Sequence, residues 1–352
     1  MPAYRARHGL TPRQGQVCAH VRDCRTAALG VLEQRCTGCG FEQVHFASCR
    51  DRHCPKCQGR ASARWAEREA GNVLAVAYHH VVFTLPARLN GWVSLHPEAV
   101  YGQLFASTWA TLAAFAERHL GGRLGMSAVL HTWGEQLTRH VHLHCLVPGG
   151  ALDADDQWHA ARGDYLFPVR ALSRRFRGHF VAGLRRRAQA GELAGVASGE
   201  VDAMLDALIA TEWVVYAKPC LNHTASVLAY LARYTHRIAL SEQRLVGIDG
   251  ERVGLRYRDY RDERAHKTLW LEGSELVRRF LLHVLPKGFM RIRHYGLLAN
   301  RCRARCLARA RDAIAVATPR ACVVPIAVPV SASPAHCPRC RQPSLHTVHR
   351  PA

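Results

Sequence analysis

The 352-residue sequence lacks the two features that would insert a protein into a membrane or direct its secretion. No uninterrupted apolar run reaches the roughly 18 residues that a membrane span needs. No N-terminal stretch combines a basic start, an apolar run and a small-residue cleavage site, as a secretory signal would. The sequence therefore predicts a cytoplasmic protein without a membrane partner.

Acidic residues are scarce. The sequence has 27 Asp and Glu and 48 Lys and Arg, which gives a formal net charge of +21. Such an excess suits a polyanionic partner, and nucleic acid is the first candidate. Since 48% of the residues are hydrophobic, the chain can bury ordinary cores and is not a disordered basic tail. We therefore expect folded domains that bind nucleic acid.

Composition divides the chain into three parts, and no repeat of the solenoid kind is present. Residues 1–70 are rich in Cys and His and are predicted to form a zinc-binding module. Residues 71–300 alternate apolar runs with helical patterns, which is typical of an α+β domain, and a helical insertion is expected at 150–200 with an Arg-rich helix from Val169 to Ala190. Residues 301–352 are expected to form a basic tail.

The sequence contains 14 cysteines, and several occur as Cys-x-x-Cys pairs, which in a reducing compartment indicate metal binding rather than disulfides. Two such pairs lie close together near the start of the chain and predict one four-thiolate zinc site made of Cys36, Cys39, Cys54 and Cys57. Further candidates, which could share in that site or form a second one, are Cys24, Cys49 and His53.

A closed four-ligand zinc site leaves no position for water, so the module is predicted to be a rigid platform rather than a catalyst. The interleaved Arg50, Arg52 and Lys56 are predicted to contact DNA phosphates. Near the other end, Cys337 and Cys340 supply half a metal site. The candidates to complete that half-site are His336, His346 and Cys322.

Residues 139–147 predict a strand that is apolar on one face and carries histidines at every second position of the other. Neighbours two apart on a strand are separated by about 6.6 Å, so His142 and His144 can bind one ion, whereas adding His140 would need a bulge. A further ligand is expected from the preceding segment. The candidates there are His131, Glu135 and Gln136.

Residues 226–237 contain no Gly or Pro and carry apolar residues at helical spacing, which predicts a helix. On that helix Tyr230 and Tyr234 are four residues apart and would share one face. A deprotonated tyrosyl hydroxyl can attack phosphorus and hold a DNA end as a phosphodiester, which keeps the bond energy for rejoining. The neighbouring Arg233 and Arg237 are candidate DNA contacts.

The apolar strand that ends at residues 83–85, the His-hydrophobic-His strand and the tyrosine helix follow in the order of the three HUH endonuclease motifs. More closely, the chain resembles the two-tyrosine insertion-sequence transposases of family ninety-one. The stretches that carry this resemblance are residues 24–30, 48–57, 130–134, 230–237 and 283–296.

The resemblance implies an α+β fold in which an N-terminal zinc-binding, DNA-recognition module is followed by an HUH-type antiparallel sheet flanked by helices. It implies that His142 and His144 bind a catalytic Mg²⁺ or Mn²⁺ and that Tyr230 and Tyr234 are the nucleophiles. The expected activity is rolling-circle transposition through a 5′-phosphotyrosine. The expected partners are element ends, single-stranded and hairpin substrates, and target DNA.

Two other functions are compatible with the same patterns. A plasmid or phage rolling-circle replication initiator would share the ion site and the tyrosines, and a strand-transfer assay would separate it from a transposase. A non-catalytic zinc-dependent DNA-binding regulator would keep its activity when both tyrosines are replaced by Phe.

Overall fold

The computed structural model describes residues 2–57, 69, 71–162, 166–221, 239–317 and 336–349. The helices within these ranges are α1 Pro2–Arg7, α2 Pro12–Asp23, α3 Asn90–Leu95, α4 Pro97–Leu120, α5 Val169–Gln189, α6 Ser198–Ala210, α7 Gly273–Leu281 and α8 Arg303–Ala317. The strands are β1 Val31–Cys36, β2 Glu42–Phe46, β3 Tyr78–Thr84, β4 Gly125–Trp133, β5 Arg139–Pro148, β6 Gly150–Leu152, β7 Trp158–Ala160, β8 Val215–Leu221, β9 Leu245–Asp249, β10 Arg252–Asp259, β11 Ala265–Glu272, β12 Ile292–Gly296 and β13 Leu345–His349.

Paired strands in the described ranges all run antiparallel, and helices accompany them, which confirms the predicted α+β class. Among the helices given above, none combines the length and the apolar character that crossing a membrane requires.

The chain divides into two compact units whose segments alternate along the sequence. One unit, here called the head unit, contains Met1–Arg68, His236–Val284 and Ala327–Ala352. The other, here called the sheet unit, contains Glu69–Thr235 and Leu285–Ile326. These units differ from the three consecutive parts expected from composition, because β13, close to the end of the chain, pairs with β1 near its start.

The sheet unit is built on a five-stranded sheet with the order β12-β4-β5-β3-β8. Side chains alternate between the two faces of a strand, so Val141, Leu143 and Cys145 of β5 all point into one core. Helix α5 covers that core face, and its Phe176 ring meets Phe83 of β3 edge-on with centroids 4.9 Å apart. The remaining face of β5 carries His142 and His144.

Helix α5 coincides with the Arg-rich helix expected from the sequence, and it is part of the core of the sheet unit. Its apolar stripe is fully buried in the main core of the sheet unit, including Leu172, Phe176, Phe180 and Leu184. The preceding part of the expected helical insertion is a hairpin of β6 and β7. An aromatic and aliphatic face of this kind excludes water from one side of the sheet and fixes the strands that carry the histidines.

The head unit contains two three-stranded sheets, ordered β13-β1-β2 and β11-β10-β9. Helix α2 starts in a capping box, since the Thr11 side chain accepts from the Gln14 amide and the Gln14 side chain accepts from the Thr11 amide. This helix ends at Asp23, directly before Cys24, and so fixes where that cysteine lies.

Candidate functional site

Three histidines from two neighbouring strands of the sheet unit form a cluster. His131 of β4 lies directly opposite His142 of β5 in the antiparallel register, and His144 follows two residues later on the same face. One ring nitrogen from each of the three lies within 4.8 Å of the others. The side chains of His131 and His142 are buried, and His144 is half-buried.

Hydrogen bonds at the outer ring nitrogens decide which nitrogens face the cluster. Nδ1 of His142 lies 2.9 Å from the His140 carbonyl oxygen, and because a carbonyl only accepts, Nδ1 carries the proton. Nε2 of His142 therefore faces the cluster and lies 3.1 Å from Nε2 of His144. Nδ1 of His144 in turn lies 2.8 Å from Nε2 of His80 on β3.

The donor set fits a divalent cation. Nitrogens at adjacent corners of an octahedral site, about 2.1 Å from one ion, lie about 3.0 Å apart, which matches the 3.1 Å between the two Nε2 atoms. Neutral imidazoles oriented by outer hydrogen bonds are the usual form of histidine ligands. The Trp133 ring stacks on His131 with centroids 4.4 Å apart and restrains the third ring.

The sequence named His131 among several candidates for the third position, and the structure brings it to His142 and His144. Gln136 lies in the tight turn between β4 and β5, in which the Gly134 amide donates to the Thr138 carbonyl. The His140 side chain is exposed and lies outside the cluster. His80 was missed, although the His-His pair inside the apolar run of β3 was a usable signal.

The predicted nucleophiles Tyr230 and Tyr234 and the neighbouring Arg233 and Arg237 lie outside the described residues. They fall in the segment 222–238, which follows edge strand β8.

One cysteine cluster lies in the loop that follows β2 and reaches back to the end of α2. It consists of Cys24, Cys49, Cys54 and Cys57, whose sulfur atoms lie within 4.8 Å of one another. The Sγ atoms of Cys24 and Cys57 are 3.2 Å apart, and those of Cys49 and Cys57 are 3.7 Å apart. Four sulfurs about 2.3 Å from a tetrahedral zinc ion lie about 3.8 Å apart, so this set fits zinc.

The structure corrects the expected pairing of the two Cys-x-x-Cys knuckles. Cys36 and Cys39 do not join Cys54 and Cys57, but lie in a second cluster with Cys337 and Cys340. The physical reason is the strand pairing, because β1 ends at Cys36 beside the first residue of β13 and so faces the C-terminal knuckle. The four cysteines of each cluster are free of disulfides.

His53, a further ligand candidate, lies beside the first cluster but belongs to a hydrogen-bonded group centred on Asp51. The Asp51 carboxylate accepts from His53 Nδ1 at 2.9 Å and lies 2.9 Å from His20 Nδ1 and 3.3 Å from the Arg13 guanidinium. Burial alone would raise the pKa of Asp51, but the hydrogen bonds from His53 and His20 outweigh it and hold that pKa well below its usual range. Asp51 thereby ties α2 to the cysteine loop.

The candidate phosphate contacts of the head lie on that loop. Arg50 is exposed, and Arg52 and Lys56 are half-buried. The Lys56 ammonium donates to the Cys24 carbonyl at 3.3 Å, so its position depends on the first cysteine cluster. This hydrogen bond holds the Lys56 side chain beside the first cysteine cluster.

Two family models match the chain. One, described as "Putative transposase", matches residues 125–305, which include the histidine cluster and the segment with the two tyrosines. The other, described as "Transposase zinc-binding domain" of the IS91 type, matches residues 1–85. The chain therefore carries a zinc-binding domain, and the cysteine clusters support structural zinc.

Two relatives agree with these models. The chain is 45% identical to "Putative transposase y4qJ" of Sinorhizobium fredii (strain NBRC 101917 / NGR234) over 328 residues, which span 90% of this chain and 82% of the relative. It is 26% identical to "Transposase for insertion sequence element IS801" of Pseudomonas savastanoi pv. phaseolicola over 324 residues, which span 88% of this chain and 76% of that protein. The sequence resemblance is confirmed, and the chain belongs to the IS91 family of transposases.

Proposed function

We propose that this transposase moves DNA by a rolling-circle reaction of the HUH type, in which one DNA strand is cut through a covalent tyrosine intermediate. The observation that carries the proposal is the convergence of ring nitrogens from His131, His142 and His144 on one face of the central strands. Family membership supports DNA transposition as the activity, and the histidine cluster offers a place where the scissile phosphate can be held.

The three histidines would hold Mg²⁺ or Mn²⁺, which when bound would withdraw charge from the scissile phosphate and help to orient it. The residues around the cluster keep its geometry fixed. The His140 carbonyl sets the tautomer of His142, His80 restrains His144, and Trp133 restrains His131. A site held in this way is ready for the substrate without rearrangement of its side chains.

Tyr230 and Tyr234 are the proposed nucleophiles. The deprotonated hydroxyl of one tyrosine forms a bond to phosphorus while the bond from phosphorus to the 3′ oxygen breaks. The products are a 5′-phosphotyrosine and a free 3′-hydroxyl, which takes up the proton. The second tyrosine would then cut a second strand while the first is occupied, which allows transfer of the element to target DNA.

The proposed DNA contacts are divided between the two units. In the head unit they are Arg50, Arg52 and Lys56, and beside the nucleophiles they are Arg233 and Arg237. In the sheet unit, a cleft of about 590 Å³ is lined by Arg170, Arg174 and Arg177 of α5. Cations along a groove suit the backbone of single-stranded element ends, hairpins or target DNA. We place the reaction in the cytoplasm, where thiols stay reduced and can bind metal.

The decisive experiment incubates the full-length protein with single-stranded oligonucleotides from the element ends and Mg²⁺ or Mn²⁺. Mass spectrometry of the digested protein then searches for a nucleotide on tyrosine. We expect a nicked strand and a nucleotide bound to Tyr230 or Tyr234. A protein that binds these oligonucleotides without cleaving them would behave as a non-catalytic regulator, and cleavage without strand transfer would favour a replication initiator; either result would overturn the proposal.

A further inference from the structure

We propose that the chain has a second structural zinc site, made by cysteines from its two ends, which fastens the C-terminal strand into the head unit. Its ligands are Cys36 and Cys39 from the end of β1 together with Cys337 and Cys340, which precede β13. This inference does not depend on the proposed reaction, because it concerns the head unit alone.

The distances in this second cluster fit zinc and do not fit disulfides. All four Sγ atoms lie within 4.8 Å of one another. Sγ of Cys36 lies 3.6 Å from Sγ of Cys340, and Sγ of Cys39 lies 3.6 Å from Sγ of Cys337. A disulfide would need about 2.05 Å, whereas sulfurs around one tetrahedral zinc ion lie about 3.8 Å apart.

The two knuckles have the same backbone structure, although they come from opposite ends of the chain. In the first, the Cys36 amide donates to the Phe41 carbonyl at 2.8 Å and the Gly40 amide donates to the Cys36 carbonyl at 3.0 Å. In the second, the Cys337 amide donates to the Gln342 carbonyl at 2.9 Å and the Arg341 amide to the Cys337 carbonyl at 2.8 Å. Each turn thus presents its two sulfurs on one side, as zinc ribbons require.

The fourth residue after the first cysteine is left-handed in both knuckles, with φ of 69° at Gly40 and 58° at Arg341. Glycine adopts this conformation without strain, but arginine does not. A non-glycine residue keeps such a conformation only where the surroundings determine it. Arg341 directly follows Cys340, and the sulfurs of Cys337 and Cys340 face those of Cys36 and Cys39. A metal bound by these four sulfurs would stabilise the strained turn at Arg341.

The surroundings of the cluster are too small to hold it together by apolar burial. Cys36 and Cys337 are each only 1% exposed, yet the apolar side chains packed with the four cysteines are those of Leu345 and Phe41. In small modules of this kind the metal supplies folding free energy directly. The Ser344 hydroxyl, from the residue directly before β13, lies 3.0 Å from Cys36 Sγ.

The position of strand β13 in the head unit depends on this second zinc site. It pairs with β1 from Cys36 opposite Leu345 to Glu33 opposite His349, and the Thr37 amide donates to the Ser344 carbonyl at 3.0 Å. The histidines that the sequence offered as completing ligands, His336 and His346, are exposed and lie outside the cluster. The partial site at the end of the chain is therefore completed by the N-terminal knuckle rather than by neighbouring residues.

Zinc content of the full-length protein tests the proposal. The protein used for this test carries His142→Ala and His144→Ala, so that the histidine cluster cannot contribute a bound ion. The number of zinc ions per chain in this background protein is measured by elemental mass spectrometry. We expect two zinc ions per chain in this background and one after Cys337→Ser with Cys340→Ser. The matched control, Cys302→Ser in the sheet unit, should keep two. One ion in the background protein, or two in the double serine variant, would overturn the proposal.

A second variant covers the case in which the double serine protein loses both ions through unfolding. Cys340→His keeps a zinc ligand, since three cysteines and one histidine also form structural zinc sites. We expect this variant to bind two ions and, after cobalt substitution, to show a shifted visible spectrum relative to the four-thiolate parent. Fewer than two ions in this variant would overturn the proposal.

Discussion

Nε2 of His80 lies 2.8 Å from Nδ1 of His144, which joins strand β3 to the histidine strand β5. The two rings are also nearly parallel, with centroids 5.1 Å apart and an interplanar angle of 15°. Because Nε2 of His144 faces the cluster, a partner at Nδ1 restrains the direction of the ring. His80 is thus a positioning residue for the proposed ion site.

The first prediction follows from that contact. His80→Ala should weaken binding of Mn²⁺ by about 10- to 100-fold, because partners of metal-bound histidines contribute about this much to affinity. Excess Mn²⁺ should restore most of the nicking rate, which a direct role in the chemistry would not allow. Calorimetric titration and nicking rates at several Mn²⁺ concentrations measure both effects. The control His266→Ala, at an exposed position of β11, should bind like wild type; equal losses in the two variants would refute the role of His80.

A second prediction concerns the ligands themselves. His142→Ala or His144→Ala should lower nicking more than about 100-fold, since a lost ligand costs more than a lost outer partner. Binding to duplex DNA should stay within about twofold of wild type, because arginines elsewhere contact the phosphates. Gel assays measure the nicking rate, and fluorescence anisotropy measures the affinity for duplex DNA. The control is His266→Ala, at an exposed position. A variant that nicks at the wild-type rate would show that the ion is held elsewhere.

The third prediction separates the two tyrosines. Tyr230→Phe and Tyr234→Phe should each be impaired in completing transposition, while one of them still nicks and forms an adduct. The double variant should form no adduct, because both nucleophilic oxygens are gone. Adduct mass spectrometry and a transposition assay test this, with exposed Tyr260→Phe as the control. If one single variant transposes normally, the protein is a one-tyrosine enzyme.

The fourth prediction concerns Asp51, whose buried carboxylate joins Arg13 and His20 of α2 to the cysteine loop. Asp51→Ala should destabilise the head unit by about 1–3 kcal/mol, because it leaves buried His53 and half-buried Arg13 without their hydrogen-bond acceptor. Hydrogen exchange over residues 13–57 measures the effect locally. Asp23→Ala, which removes a surface pair with Arg22, should change little. Equal protection in both variants would show that Asp51 is not the link between helix and loop.

Local patterns were enough to predict the histidine strand and the Arg-rich helix. Strand alternation predicted His142 and His144 on one face of a strand, and in the structure both histidines lie on the same face of β5. Apolar spacing predicted a helix from Val169 to Ala190, and α5 spans Val169–Gln189. Its role in the core could not be read from the sequence, because the stripe of Phe176 and Phe180 only shows that the helix packs and not what it packs against.

Partners that are distant in sequence could not be assigned. His80 meets His144 through the register of β3 and β5, and a shift of one residue would have pointed it to the other face. The knuckle at Cys36 had two possible partners with the same Cys-x-x-Cys pattern. Only the pairing of β1 with β13, more than three hundred residues apart in numbering, decided between them.

The alternating order of the two units has a consequence for protein synthesis. Ribosomes release the N-terminal part of a chain first, so β1 and β2 emerge long before β13. Until then one edge of β1 has no strand partner, and an open edge invites pairing with other chains. A gene copy interrupted before the codon for Cys337 would yield a head unit without its third strand. Completion of the head unit thus waits for the synthesis of β13, and its three-stranded sheet cannot form in products that stop before that strand.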